Sequence, residues 1–446
     1  MLNFDLTPEQ LELRDKARAF ALSEVLPAAW HYDEKDQVPV FLLKKAFDAG
    51  LMNNDIPKAY GGKGYGILEG ALMTEEIAAA CPGVATSVFD NSLGMEPLIL
   101  SKNEALKEKY LSQIAADFKL ICFATSEPGM GSDVAGIRCK AEPDGEDYIL
   151  NGTKYWITNG GIADYMTVFA TVDPESQHRG ICAFLVERDW EGVSVGRHIP
   201  KMGQRCSNTT GLNFKNVRVP KANVIAPPGE GFVMAMKTFS RTRPVIGAFA
   251  VGAARSAMEY AIDYAKKRRT FGSRIAEYQA IQFKIAEMYQ KVETSRLLVW
   301  KSAWEADCGK DPIVSASIAK FYSTEVALEV VNEALQILGG YGYTKMFPLE
   351  KLLRDIRLLR IYEGTSEIQR MVVSGHALGA YEPVMPSLED LPMMWDKDLG
   401  DRTDDTQEQQ PAWRCRICGH MHYGAEAPEE CPYCFYPKTT FKQVWP

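Results

Sequence analysis

No stretch of the chain approaches the roughly 18 consecutive apolar residues that a membrane-spanning helix requires. Basic patches are missing too: the net charge is -8, and no Lys/Arg stripe offsets it, which argues against nucleic acid as a partner. The opening Met1-Leu-Asn-Phe-Asp-Leu has neither a charged segment followed by an apolar one nor an Arg/Ser-rich character, so the expected location is the cytosol. A disulfide framework is also absent from most of the chain. Cys81, Cys122, Cys139, Cys182, Cys206 and Cys308 are scattered and read as reduced, buried small apolar residues. What the chain does have is 446 residues with 46% hydrophobic content, enough for a large core and two to four domains.

Thr7-Pro8-Glu9-Gln10 is a capping box with Pro at the first helical position. Further helical patterns run over residues 39–50, 68–80 and 104–116, so residues 1–118 read as a helical domain. The texture changes in residues 119–230. Short β-rich runs at 120–124, 148–150, 153–157, 165–172, 181–186 and 211–219 predict an antiparallel sheet or small barrel. Asn151-Gly152 predicts a type I′ hairpin between two of them. Long helical patterns return over residues 231–381, including 246–269 and 275–307, and predict a bundle. The expected architecture is therefore a multidomain α+β chain.

Within the bundle, Arg360-Ile-Tyr-Glu363-Gly-Thr365-Ser-Glu367-Ile-Gln369 places a carboxylate on a Gly-containing bend between two helical runs. A carboxylate near pKa ~4.3 is a weak base, and burial beside Ile361 and Tyr362 would raise it toward neutrality. A Glu at a helix end can equally be a solvated cap.

Residues 382–411 carry nine acidic residues against Lys397 and Arg402 and read as a linker of about 30 Å as a coil, with the apolar Leu391-Pro-Met-Met-Trp395 able to dock elsewhere. Residues 412–446 then supply Cys415-x-x-Cys418 and Cys431-x-x-Cys434, twelve residues apart, a set for one tetrahedral metal. Zinc is the usual occupant of such knuckles. Trp413, Tyr423, Tyr433, Phe435 and Phe441 suggest a shielded site, and four thiolates leave His420 and His422 as surface residues. The Cys-x-x-Cys-Gly and Cys-Pro-x-Cys pattern resembles rubredoxin and the rubredoxin-like module of rubrerythrins, which implies one iron that moves one electron, with zinc as the alternative.

Five motifs upstream resemble the acyl-CoA dehydrogenase family, closest to its short- and medium-chain enzymes. They are Cys122-Phe-Ala-Thr-Ser126-Glu-Pro-Gly-Met-Gly-Ser132-Asp133, Tyr155-Trp156-Ile-Thr158-Asn-Gly160, Arg268-Arg-Thr-Phe271-Gly272, Gln336-Ile-Leu-Gly339-Gly340 and residues 361–369. The resemblance covers residues 1 to about 380 and implies the family fold, FAD and a homotetramer or, less often, a dimer.

By resemblance, Ser126 and nearby amides bond the flavin, Trp156 shields it, Thr158 reaches it near N5, and Ser132 helps to hold phosphate or substrate. Arg268, Phe271, Gln279, Gln336 and Gly340 would meet the dinucleotide of a neighbouring subunit, and Thr365 would also touch the cofactor. Taken singly, each is an ordinary packing, loop or surface residue. Arg243 and Gly364 would support the acyl-CoA, Arg243 otherwise being an ill-placed cation at a helix start. Glu363 would take the alpha proton while the beta hydrogen leaves as hydride to the flavin, giving a trans-2-enoyl-CoA. Some members place the base near Arg243, but Ser240-Arg-Thr-Arg243 has no carboxylate.

Electrons would pass to an electron-transfer flavoprotein or another redox partner, directly or through the tail's iron. The alternatives are an enoyl-CoA reductase working in reverse, a dehydrogenase with a zinc tail used for docking, and a non-catalytic acyl-CoA-binding scaffold.

Overall fold

The protein's structure, a computed structural model, describes residues 5–385 and 411–445. It divides into two compact units, Met1–Ser366 and Glu367–Pro446. The acidic stretch with its apolar cluster at 391–395 lies outside the described residues.

The first unit opens with α1 (Pro8–Phe20), started by the expected capping box: Gln10 N-H donates to Thr7 Oγ1 at 3.2 Å, and Thr7 N-H donates to Gln10 Oε1 at 3.0 Å. After one π turn the chain continues as α2 (Leu26–Lys35), α3 (Val40–Asp48), α4 (Ile67–Ala80), α5 (Pro82–Leu100) and α6 (Glu104–Ala116). Helix α5 is missing from the sequence reading. It is buried almost all round and carries Gly83, Gly94 and Pro97, so it shows neither an amphipathic period nor clean helix composition.

The sheet comprises β1 (Ile121–Ala124), β2 (Lys140–Asp144), β3 (Asp147–Thr158), β4 (Tyr165–Thr171), β5 (Ile181–Glu187), β6 (Val193–His198), β7 (Thr209–Val219) and β8 (Val224–Ala226). Its order is β6-β7-β3-β2-β4-β5-β8, with β1 beside β4. Two expectations fail here. The sheet is not purely antiparallel, because β1 and β2 both run parallel to β4. Asn151-Gly152 is not a hairpin either. It lies inside β3, where the register against β7 shifts between Leu150 and Gly152, and the actual β2-β3 turn is at Gly145-Glu146. Gly152 has φ 151, and a Cβ there would meet Cys139 Cα at 2.7 Å, so its glycine serves a bulge and a close strand approach.

Inside this sheet Lys154, fully buried, donates to Glu127 Oε1 at 2.7 Å, while Glu127 also accepts from the backbone N-H groups of Arg138 and Cys139 at 2.7 and 2.8 Å. Lys154 also donates to the Thr125 carbonyl at 2.9 Å, so both partners carry further hydrogen bonds, which a buried pair needs to persist. It fixes the loop after β1 that carries Ser126.

The bundle follows: α7 (Gly231–Lys267), a two-residue hairpin of β9 (Arg269–Thr270) and β10 (Ser273–Arg274), α8 (Gln279–Asp307), α9 (Ile313–Leu338) and α10 (Leu349–Ile356). Helix α7 starts earlier than its apolar pattern predicts and runs straight through Pro244. It is long and apolar enough to cross a membrane by composition, with a mean hydropathy of 1.2 in its best window, but 78% of that window is buried against α4, α8 and α9. It is a core helix. Arg255 and Arg296 reach from α7 and α8 to Glu75 on α4 at 3.1 and 2.9 Å, tying the helices at a partly buried ionic junction.

In the second unit, α11 (Ser366–Gly379) precedes a three-stranded sheet of order β12-β11-β13, formed by β11 (Ala412–Cys415), β12 (Met421–Tyr423) and β13 (Phe441–Trp445). Gly375 of α11 lies directly against a cysteine turn of this module: a Cβ there would meet Cys418 Cα at 2.6 Å.

Candidate active site and thiolate centre

Glu363 sits where a short 3-10 turn after α10 ends and two successive residues adopt left-handed backbone, Glu363 at φ 57 and Gly364 at φ 88. For a non-glycine residue that conformation costs about 1–3 kcal/mol and persists only where the surroundings hold it. They do so here through both carbonyls. Arg243 Nε donates to the Glu363 carbonyl at 3.2 Å, and the fully buried Lys320 on α9 donates to the Gly364 carbonyl at 2.8 Å. The carboxylate Oε2 accepts from Thr242 Oγ1 at 2.9 Å.

Burial raises the Glu363 carboxyl from its ordinary 4.5 to about 7, and the Thr242 hydrogen bond with the charges of Arg243 and Lys320 restrains it from going higher. The shelter does not come from Ile361, which is 49% exposed. It comes from α5, α7 and α9. On α5, Asp90 is buried and its carboxyl is driven well above the usual range, first by burial and then by the charge of Glu363.

The turn itself is anchored from below. Lys351 Nζ on α10 donates to Asp355 at 2.5 Å and to Cys81 Sγ at 3.2 Å, with all three side chains buried. Asp355 in turn accepts from the Gln204 backbone N-H, and Thr86 on α5 donates to the Gln204 side chain at 2.9 Å. The β6-β7 loop, α5 and α10 are thereby joined by buried hydrogen bonds beneath Glu363.

Arg243 is buried within α7, away from a helix start, and holds the Glu363 turn through the Glu363 carbonyl. Sequence reasoning missed Thr242, Lys320 and Asp90. Lys320 left a faint signal as a lone cation in an apolar helical face, and Asp90 sits on the helix that went unread.

The β-domain places the Ser126 loop beside β3. Tyr155 N-H donates to the Ser126 carbonyl at 2.9 Å, so the Ser126 loop lies alongside the strand carrying Trp156 and Thr158. Trp156 is not a core residue: its side chain is 57% exposed and its backbone has φ 64 at a register shift between Lys154 and Ile157. The register shift leaves the indole face accessible. Ser132 is exposed nearby in sequence, and Gly129 and Gly131 have open space where a Cβ would stand. These residues fit a flavin.

Arg268, Phe271 and Gln279 are all exposed along the connection from α7 to α8, Phe271 at 95%. Gln336 and Gly340 are exposed at the end of α9, with open space over Gly340. Thr365 is half-buried beside Gly364.

In the second unit, the sulfur atoms of Cys415, Cys418, Cys431 and Cys434 all lie within 4.8 Å of one another, with Cys415 and Cys434 at 3.4 Å and Cys418 and Cys431 at 3.5 Å. An all-sulfur set of that size fits a tetrahedral metal, iron or zinc. The aromatic shield is thinner than expected. Phe441 is buried, but Tyr423 and Tyr433 are largely exposed, and Cys418 and Cys434 are themselves partly exposed. His420 stacks near Tyr433 at 4.6 Å and stays out of the sulfur cluster.

Comparison with known proteins agrees with this geometry. Residues 7–117, 122–217 and 229–378 match the N-terminal, middle and C-terminal domains of acyl-CoA dehydrogenases, and residues 413–442 match the rubrerythrin rubredoxin-like domain. The Mycobacterium tuberculosis "Probable acyl-CoA dehydrogenase FadE25" is 42% identical over 83% of this chain and 96% of its own. The structure of butyryl-CoA dehydrogenase from Megasphaera elsdenii superposes with a TM-score of 0.83 at 36% identity, covering 84% of this chain and all of that one. A chain from the structure of the electron transferring flavoprotein of Acidaminococcus fermentans has the same score, identity and coverage. The chain therefore belongs to the FAD-dependent acyl-CoA dehydrogenase family of oxidoreductases, and it carries in addition a rubredoxin-like module with a four-cysteine metal-binding set.

Proposed function

We propose that the protein dehydrogenates an acyl-CoA to the trans-2-enoyl-CoA, with Glu363 as the base that removes the alpha proton. The observation that carries this reading is a carboxylate held in a strained turn and raised to about 7, the range in which a general base is both deprotonated and basic at neutral pH. Thr242 holds one carboxylate oxygen through a 2.9 Å hydrogen bond, which orients the side chain. Ser126, Ser132, Trp156, Thr158 and Thr365 would hold FAD, and Arg268, Phe271, Gln279, Gln336 and Gly340 would hold the dinucleotide of a neighbouring copy. Bound flavin supplies the two-electron acceptor for the beta hydrogen. Gly364 and Arg243 would border the substrate, Arg243 by fixing the backbone of the turn.

A homotetramer is supported by the exposed aromatic and apolar side chains of Phe271, Tyr343 and Met346 on helix connections. The four thiolates hold iron in this reading, and the partial exposure of Cys418 and Cys434 supports one-electron exchange with a redox partner, with an electron-transfer flavoprotein as the external acceptor.

The test is the visible spectrum of the full-length FAD-loaded protein before and after anaerobic addition of butyryl-CoA or octanoyl-CoA, with metal analysis. Flavin bleaching with iron present is expected. No bleaching by any acyl-CoA would overturn the dehydrogenase reading, and zinc in place of iron would overturn one-electron transfer through the tail.

A further inference from the structure

Cys81 is the single residue between α4 and α5, and its thiol takes no part in dehydrogenation. The Nζ of Lys351 on α10 lies 3.2 Å from Cys81 Sγ. The same Nζ contacts the Asp355 carboxylate at 2.5 Å, and Asp355 is fully buried. A thiol, an amine and a carboxylate are thus sealed together, away from water, where the α4-α5 junction meets α10.

Burial alone keeps a thiol inert, because the reactive species is the thiolate. Cys81 differs from an ordinary core cysteine in this respect: the neighbouring Cys206 first, and then the charge of Lys351, draw its thiol below the usual value of 9. Cys206, in the β6-β7 loop, is the other neighbour able to trap an oxidised Cys81. Its S-H, however, donates to the Ala29 carbonyl at 3.3 Å, whereas the Lys351 Nζ is directed at the Cys81 sulfur. With Cys81 at 0% and Lys351 at 4% exposure, the site admits dioxygen, which is small and apolar, more readily than charged or bulky oxidants.

We propose that Cys81 and Lys351 form an oxidative modification site, in which dioxygen joins them through one bridging oxygen as a covalent Nζ-O-Sγ link. The Lys351 ammonium first yields a proton to Asp355. The amine then loses one N-H and the thiol its S-H; one atom of dioxygen forms the N-O and O-S bonds, and the other leaves with the two hydrogens as water. Nitrogen and sulfur each give up two electrons, which supplies the four that dioxygen takes. The link discharges the Lys351-Asp355 ion pair and staples α10 to a segment far away in sequence, restricting the unfolded chain. Thiol reductants restore both side chains.

The test uses the full-length FAD-loaded protein, prepared without oxygen and then exposed to air, with peptide mapping by mass spectrometry under non-reducing conditions. The expected product is a cross-linked pair of peptides carrying Cys81 and Lys351, about 14 Da heavier than the two peptides together, formed only in air and abolished by dithiothreitol. Cys206→Ser retains this link and Cys81→Ser loses it, and the wild-type map stands by itself if either variant folds poorly. A linked pair carrying Cys81 and Cys206, about 2 Da lighter than its two peptides together, overturns the proposal in favour of a disulfide. An unlinked Cys81 peptide about 32 Da heavier, as a sulfinic acid, or one left unmodified after prolonged exposure to air, overturns it outright.

Discussion

Replacing Glu363 by Gln separates the proposed catalytic role of this residue from its energetic cost. The amide is neutral, nearly isosteric, and can still accept the Thr242 hydrogen bond through its oxygen, so the turn and FAD binding are retained. A positioned base contributes about 10²–10⁴ in rate. The flavin-bleaching rate with a good acyl-CoA substrate is therefore expected to fall about 100- to 10,000-fold.

The stability effect has the opposite sign. Glu363 has a folded-state pKa of about 7 against an ordinary 4.5, so the folded form holds its proton more tightly than the unfolded chain does. The resulting penalty is absent below about pH 4.5, grows as pH rises, and is complete above about 7. At 1.36 kcal/mol per pH unit, the displacement from 4.5 to about 7 corresponds to at most about 3.4 kcal/mol, less whatever solvent relaxation recovers. Glu363→Gln should thus melt at a higher temperature than wild type at pH 8 and at an equal temperature near pH 4.5. Wild-type kcat/KM should climb with pH to a plateau, with an apparent pKa near 7. Stopped-flow bleaching and thermal melts across pH measure both effects. A variant rate within tenfold of wild type, or a melting difference that shrinks as pH rises, would refute the reasoning.

Other expectations concern the groups around the base and the thiolates. Thr242→Val removes the hydroxyl that stabilises the carboxylate at 2.9 Å, so the apparent pKa of kcat/KM should move up by about one unit, and Thr242→Ser should restore it. Glu127→Ala strands the buried Lys154 and should cost about 3–5 kcal/mol in denaturant unfolding, whereas an exposed pair such as Lys44 with Asp48 should cost under about 1 kcal/mol. Gly375→Ala forces a methyl against Cys418, where a Cβ has only 2.6 Å, and should lower metal content without removing any ligand; unchanged metal stoichiometry would show that the α11 packing is dispensable. Cys434→Ser should lose most bound metal while the flavin spectrum persists, as read by metal analysis.

Local chemistry alone determined a good deal of this molecule. A capping box is a contract among four neighbouring residues, so α1 begins where Thr7 and Gln10 say it does. The two Cys-x-x-Cys pairs named the metal ligands, because their spacing leaves few ways to close a four-thiolate site. Glu363 was legible as a carboxylate on a glycine bend, and the motifs around Ser126 and Trp156 carried the family likeness.

Only the tertiary structure decided what depends on partners distant in sequence. Helix α5 is specified by being surrounded, not by a period, so its own pattern is silent and Asp90 was hidden with it. Asn151-Gly152 has the composition of a turn, yet pairing with β7 and the nearness of Cys139 make it a bulge within one strand. The acidity of Glu363 is likewise a collective property. Ile361, two residues before it, is exposed, whereas the adjacent Tyr362 is half-buried against the core, and the hydrogen bond and charges that tune the carboxyl come from α7 and α9, which share no local sequence with it. Hydrogen bonding between adjacent residues is written in short motifs, whereas desolvation depends on everything that excludes water from a point in space.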